Sequence, residues 1–95
     1  WNWIFMNNIK WIGADGGYLD IYTTNQKHVI QDRLKNIIEN LPENFKRIHK
    51  STIANIDKIK ALKSRGNGDY DVIIDDGKVL RLSRNYTKHL KGTLL

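Results

Sequence analysis

The sequence predicts a mostly β domain with one interior helix, and three observations carry that prediction. Turn signals recur at short intervals, at Asp15-Gly16-Gly17, Asn25-Gln26, Gly66-Asn67-Gly68 and Asp76-Gly77. The segments between them are rich in β-branched and aromatic residues, Tyr18–Thr24 (YLDIYTT) above all. Only one interior segment changes to a helical period: Leu34, Ile37, Ile38 and Leu41 fall at i, i+3, i+4 and i+7.

Taken in order, Ile4-Phe5-Met6 suggests a first short strand and Ile9–Ile12 a second. The two glycines after Asp15 permit positive φ and turn the chain into the strand Tyr18–Thr24, and Asn25-Gln26 turns it again into Lys27–Ile30. The helix is expected over about 32–41, with Asp32 as N-cap or first-turn acid and Pro42 closing it. Phe45–Lys50 (FKRIHK) sets Phe45, Arg47 and His49 against Lys46, Ile48 and Lys50, as a strand would. The stretch Ser51–Asp57 fits neither period. Ile56, Ile59 and Leu62 have helical spacing, yet Ile59 and Ala61 alternate, so a turn at Asn55–Lys58 and a strand to Arg65 are expected. Tyr70–Asp75 and Lys78–Leu82 flank Asp76-Gly77, read as a two-residue hairpin loop. In that register Ile74 faces Val79 and Ile73 faces Leu80, which predicts a hairpin covered on both faces. Residues 84–95 are a short basic tail with one or two helical turns. About seven short strands and one helix result, the pattern of sandwiches and small barrels.

Ninety-five residues suffice for one domain with a modest core. With 40% hydrophobic and 27% charged residues the chain is expected to fold rather than remain disordered. Cysteine is absent, which removes disulfide scaffolds, thiolate metal sites and cysteine nucleophiles. The longest apolar stretch, Trp3–Met6, is far short of a bilayer span and no signal peptide is visible, so no membrane partner is expected. The chain opens on Trp1, not Met, and is expected to be cut from a longer protein with a further domain ahead of it.

The formal net charge is +6, unevenly placed. Residues 1–45 carry four Lys/Arg against five Asp/Glu, a net of −1, whereas residues 46–95 carry twelve against five, a net of +7. A polyanion suits such a half through counterion release at phosphates. A solvated basic surface without a ligand is an equal reading from charge alone.

Catalytic patterns are weak. His49 and Ser51 would share a strand face, yet no nucleophile elbow surrounds Ser51, so the chain is read as no enzyme. His28, His49 and His89 lack metal-ligand spacing, Asp75-Asp76-Gly77 lacks the later glutamate of a calcium loop, and no glycine-rich phosphate loop occurs. No cofactor is expected. The concentrated signal is Phe45–Ile56 (FKRIHKSTIANI). Lys46, Arg47, His49, Lys50 and Ser51 can meet phosphates or base edges, while Phe45, Ile48 and Ile53 anchor the segment. The alternative is an ordinary amphipathic strand and loop. Arg81-Leu-Ser-Arg-Asn85 is a second basic, polar cluster.

Over nearly its whole length the chain resembles the LytTR family of bacterial DNA-binding domains. The matching residues are Ile9-x-x-Ile12, Tyr18-x-x-Ile21-x-Thr23, Leu41-Pro42, Phe45-x-Arg47-Ile48-His49-Lys50-Ser51, Ala54-Asn55-Ile56-x-x-Ile59, Asp76-Gly77 and Leu82-Ser83-Arg84-x-Tyr86. Thr52 stands where the family pattern often has an aromatic residue, Ala54 where it has valine or isoleucine, and Arg81 where it has proline.

The resemblance implies an elongated stack of small antiparallel β-sheets whose loops, rather than a recognition helix, read successive major grooves. It implies the output domain of a cytoplasmic transcriptional regulator, C-terminal to a phosphoacceptor receiver domain in a two-component phosphorelay. Double-stranded DNA, with direct repeats in a promoter, is the implied partner, with room for a dimer on the DNA. By position, Lys50 falls in the central base-reading loop and Arg84 in the other main one, with Asn85 beside it. The turn ending at Tyr18 matches a third contact region. His49 and Ser51 flank Lys50 as phosphate contacts or loop supports, and Arg47 is equally a salt-bridged support beneath the loop or a DNA contact. Two rivals use the aromatics. An RNA or single-strand binder would stack bases on Trp3, Trp11, Tyr18 and Tyr22. A protein-interaction module would pack Trp1 and Trp3 against another domain.

Overall fold

A computed structural model describes residues 2–95, without the side chains of Trp3 and Ile4. Trp1, and the side chain of Trp3 on which both rival readings draw, lie outside the described residues. The chain begins with helix α1 (Trp3–Asn8), followed by β1 (Ile9–Asp15), β2 (Tyr18–Thr23) and β3 (Lys27–Gln31). Helix α2 (Leu34–Ile37) tightens into a 3₁₀ turn (Ile38–Asn40) and leads to β4 (Phe45–His49) and β5 (Thr52–Asn55). A 3₁₀ turn (Ile56–Lys58) precedes β6 (Ile59–Ser64), β7 (Tyr70–Ile74) and β8 (Val79–Leu82), and a 3₁₀ segment (Arg84–Leu90) follows.

Two antiparallel sheets are stacked, one with strand order β3-β2-β1-β5-β4 and one with β6-β7-β8. The body extends 36 × 24 × 21 Å. The five-stranded sheet has a core on each face. Ile12, Ile21, Ile53 and Phe45 meet Leu34 and Ile37 of α2 on one side, with Phe5 and Met6 of α1 packed against them. Ile48 and Ala54 meet Val72, Ile74, Leu80 and Leu82 of the small sheet on the other, with Leu90 closing that layer.

Several sequence expectations change. Residues 4–6 lie in a helix, not a strand: the Asn2 side chain caps it by accepting from the Phe5 amide at 2.8 Å. The apolar stripe of the second helix holds, since Leu34 and Ile37 are buried. That helix is shorter than 32–41, and Asp32 is not its N-cap, because Arg33 takes that position. The Asp32 carboxylate instead accepts from the Arg33 amide and the Asn36 side chain, supporting the first turn from one residue earlier.

Strand β5 escaped the sequence for a physical reason. It lies between β1 and β4 with both faces covered, so Ile53, Ala54 and Asn55 are all fully buried and no polar–apolar alternation survives. Asn55 is satisfied there. Its amide donates to the Ile9 carbonyl at 2.8 Å, and its oxygen accepts from the Asn44 side chain and the Asp57 amide.

The β7–β8 hairpin is shifted by one residue from the expected register: Ile73 pairs with Val79 and Val72 with Leu80. Gly77, at φ 91°, ends a three-residue loop, where the sequence suggested two. As a result Val72, Ile74, Leu80 and Leu82 all face inward, while Val79 is 53% exposed. The hairpin is covered on one face only. The longer loop frees Asp75 and Asp76 to receive Lys10, which a bulge between Ile9 and Trp11 directs out of β1. The Lys10 ammonium sits 2.7 Å from Asp75 and 3.6 Å from Asp76 with its side chain 8% exposed. The hydrogen bond to Asp75 raises the Lys10 pKa above its usual value. The Lys78 amide, with Lys10 behind it, lowers that of Asp76.

Candidate nucleic-acid interface

Lys50 and Ser51 connect β4 to β5, so the strand ends at His49 and Lys50 is at the tip of a tight turn. Arg47 holds this turn from within the strand. Its Nε donates to the His49 carbonyl at 2.9 Å, and a terminal nitrogen donates to the Lys50 carbonyl. Its guanidinium also lies 5.9 Å from the Tyr86 ring centroid. The expected salt bridge beneath the loop is replaced by bonds to two carbonyls, since the turn's own backbone supplies the acceptors.

His49 holds the turn's far side. The Ser51 amide (3.2 Å) and hydroxyl (2.9 Å) both meet Nδ1. An amide only donates, so Nδ1 accepts and the neutral ring carries its proton on Nε2. The Ser–His contact is present, made across the turn rather than on a shared strand face, but the lone pair a general base would use is shared with backbone. The Ser51 carbonyl accepts from the Ala14 amide at 2.9 Å, fastening the turn to β1. With its backbone fixed by Arg47, the Lys50 side chain is exposed, and it has no ion pair among the described residues.

The second cluster hangs from the same strand. The Ser83 amide donates to the Ile48 carbonyl at 2.9 Å, and His89 donates from Nδ1 to the Arg47 carbonyl at 2.6 Å. The 3₁₀ segment 84–90 therefore lies along β4, with Arg84, Asn85 and Lys88 exposed. The Arg84 amide donates to Asp69 at 2.9 Å. Gly68 lies so close that a Cβ there would stand 3.1 Å from the Arg84 Cβ, and its φ of +94° disfavours any side chain. Asp69 also pairs with Arg81, and Asp71 with Arg65 and Arg81. The acids of the C-terminal half thus neutralise Arg65, Arg81 and Lys10, and Lys50, Arg84 and Lys88 are among the cations left without an ion pair among the described residues.

Tyr18, 49% exposed at the end of the Gly16-Gly17 turn, shares an open depression of about 550 Å³ with Lys50. Arg47, Arg33 and Lys35 line it too. Lys46 does not join the group; it pairs with Ala54 on the face toward the small sheet. Arg33 and Lys35 give no signal in the sequence because they lie in the half whose net charge is −1, at the cap and first turn of a helix marked by its apolar stripe. Of the aromatics proposed for base stacking, Trp11 is stacked on Tyr22 (ring centroids 4.1 Å apart, planes 10° from parallel) and packs on the inter-sheet core. The remaining histidine, His28, meets Phe5 edge-on at 5.1 Å.

Fold and site together define a small two-sheet β domain that presents cationic loops along one strand. The chain belongs to the LytTR family: the family model for the LytTr DNA-binding domain matches residues 2–95. It is 32% identical over 88 residues to the sensory transduction protein LytT of Bacillus subtilis, covering 92% of this chain and 36% of that protein. It is 34% identical over 88 residues to the transcriptional regulatory protein LytR of Staphylococcus aureus, again covering 92% and 36%. The chain therefore spans a little over a third of the length of these curated relatives. A solved LytTr DNA-binding domain from Bacillus cereus shares its fold, with a TM-score of 0.85 at 20% identity over 90% of this chain and 80% of that one. No helix among the described residues is long and apolar enough to cross a membrane.

Proposed function

We propose that this domain binds duplex DNA sequence-specifically through loops set in successive major grooves, as the output domain of a two-component transcriptional regulator. One observation carries the reading. Lys50 and Arg84 project from backbone that Arg47, Asp69 and the Ile48 carbonyl already hold, so two unpaired cations stand on rigid supports along one strand. A base-reading side chain needs that arrangement, because discrimination depends on donors held in fixed positions. In this reading Lys50 and Arg84 read base edges, Tyr18 and Asn85 extend the contact, and His49 and Ser51 support the turn or meet phosphate. Lys46, on the covered side, contributes long-range charge. In this reading a receiver domain stands ahead of residue 1, the location is cytoplasmic, and two copies occupy direct repeats in a promoter. Catalysis has no part in it.

Salt dependence tests the electrostatic part. Four to six neutralised phosphates would give a slope of about −4 to −5 in a plot of log affinity against log salt. Fluorescence anisotropy with a labelled duplex measures it. A slope near zero would overturn the proposal.

A further inference from the structure

We infer that Arg33 and Lys35, on the helix side of the domain, form a phosphate clamp that holds one DNA strand beside the Lys50 turn. The inference rests on the duplex-binding reading above and adds to it a surface that reads no bases. Three chain segments meet around the depression: the turn running into Tyr18, the stretch 32–35, and the β4–β5 turn. Four cations line it, Arg33, Lys35, Arg47 and Lys50, against one acid, Asp32. Asp32 accepts from the Arg33 amide at 2.7 Å and from the Asn36 side chain at 3.2 Å, both on one oxygen. Arg47 has turned its donors to the His49 and Lys50 carbonyls. Arg33 and Lys35 are exposed and have no ion pair or side-chain hydrogen bond among the described residues.

Two unpaired cations on the rim of an open concavity, beside a proposed base-reading lysine, suit a sugar-phosphate backbone. A concave wall of one sign concentrates the field felt by a polyanion. The arginine fork can grip phosphate oxygens in pairs, and the lysine adds a point charge. The two lie at the start of α2, apart from the Lys50 and Arg84 segments proposed to read bases, so their contribution is expected to be the same for every sequence. Leu34, between them, is buried in the helix-side core, which fixes where the two side chains emerge.

The test uses Arg33→Ala, Lys35→Ala and the double variant, with Lys60→Ala for comparison. Lys60 is exposed on the small sheet, away from the depression. The probe is a labelled 25-bp duplex of mixed sequence (about two helical turns), titrated from 50 to 200 mM salt. Each lost phosphate contact removes about 0.9 from the slope. Raising salt fourfold should therefore cost the double variant about twelvefold less affinity than it costs the wild type. Lys60→Ala should behave as wild type, and all variants should melt with it. If the double variant keeps the wild-type slope and affinity while the wild type binds the duplex with a steep salt slope, the clamp is wrong and the duplex reading stands. If the wild type itself does not bind the duplex, both fall. If Arg33→Ala or Lys35→Ala alters preference between two duplex sequences with no change in slope, these residues read bases and the clamp is wrong.

Discussion

Removing Arg47 should loosen the reading turn before it removes any contact with DNA. Arg47→Ala deletes the two donors that bind the His49 and Lys50 carbonyls, and the contact with the Tyr86 ring. A hydrogen bond from a charged donor is worth about 1.5–3 kcal/mol at most. Arg47 is only half-buried, so water can take over part of both bonds, and a total loss of about 1–2 kcal/mol is expected. For a domain of this size that lowers the melting temperature by roughly 4–16 °C. Arg47→Lys separates support from phosphate contact, because it keeps the charge but lacks the fork that reaches both carbonyls. Thermal melts and duplex titrations on the same preparations measure the two effects. Both variants should melt low, and both should lose discrimination between duplex sequences more than they lose general affinity. An Arg47→Ala variant that melts with the wild type yet binds all duplexes weakly would refute this reasoning, and would make Arg47 a phosphate contact.

Other expectations follow from burial and charge. Phe45 is 4% exposed in the helix-side core, so Phe45→Ala should cost about 3–5 kcal/mol of stability, whereas Lys50→Ala should change it by no more than about 0.5 kcal/mol. Chemical denaturation of both variants would expose a reversed assignment of anchor and reader. The Asp76 pKa is lowered in the fold below its unfolded value of 3.8, first by the Lys78 amide and then by Lys10. Its contribution is therefore present above that value and is lost as pH falls through the lower, folded one. Asp76→Asn keeps an acceptor for the Lys78 amide but does not titrate, so its stability should fall less steeply below pH about 4 than the wild type's. Parallel acid slopes in melting experiments would remove Asp76 from the explanation.

Much of this molecule is legible in its sequence where one chemical signal dominates. The strand Tyr18–Thr23 followed from its residue types, and the stripe Leu34, Ile37, Ile38, Leu41 located the helical segment, because one buried face imposed one period. The illegible parts are those where that condition fails. In β5 both faces are covered, so Ile53 and Ala54 carry no alternation. At residues 4–6 the three apolar residues read as a strand, although Asn2 just before them was a usable cap signal. The Asp76-Gly77 dipeptide located the hairpin but not its register, since a three-residue loop with Gly77 at positive φ uses the same letters. In the candidate site, the residue pattern ran the strand on to Lys50, and the family resemblance placed Lys50 in a loop; the structure ends β4 at His49. The supports of that loop were harder to see. That Arg47 would bind carbonyls, and that Asp69 and Gly68 would seat Arg84, depends on contacts between segments far apart in sequence. Arg33 and Lys35 were hidden by a local charge balance that the fold rearranges.

The central claim is that Lys50 and Arg84 read sequence from rigid loops, and competition binding tests it most directly. A preferred site is first selected from a randomised duplex pool with the wild-type domain. The affinities of wild type, Lys50→Ala and Arg84→Ala are then measured for that site and for its scrambled version at one salt concentration. Loop reading predicts that each variant loses about 1–3 kcal/mol of discrimination while its affinity for the scrambled duplex falls far less. Equal losses on both duplexes would contradict it, and would leave the two residues as phosphate contacts with the reading done elsewhere.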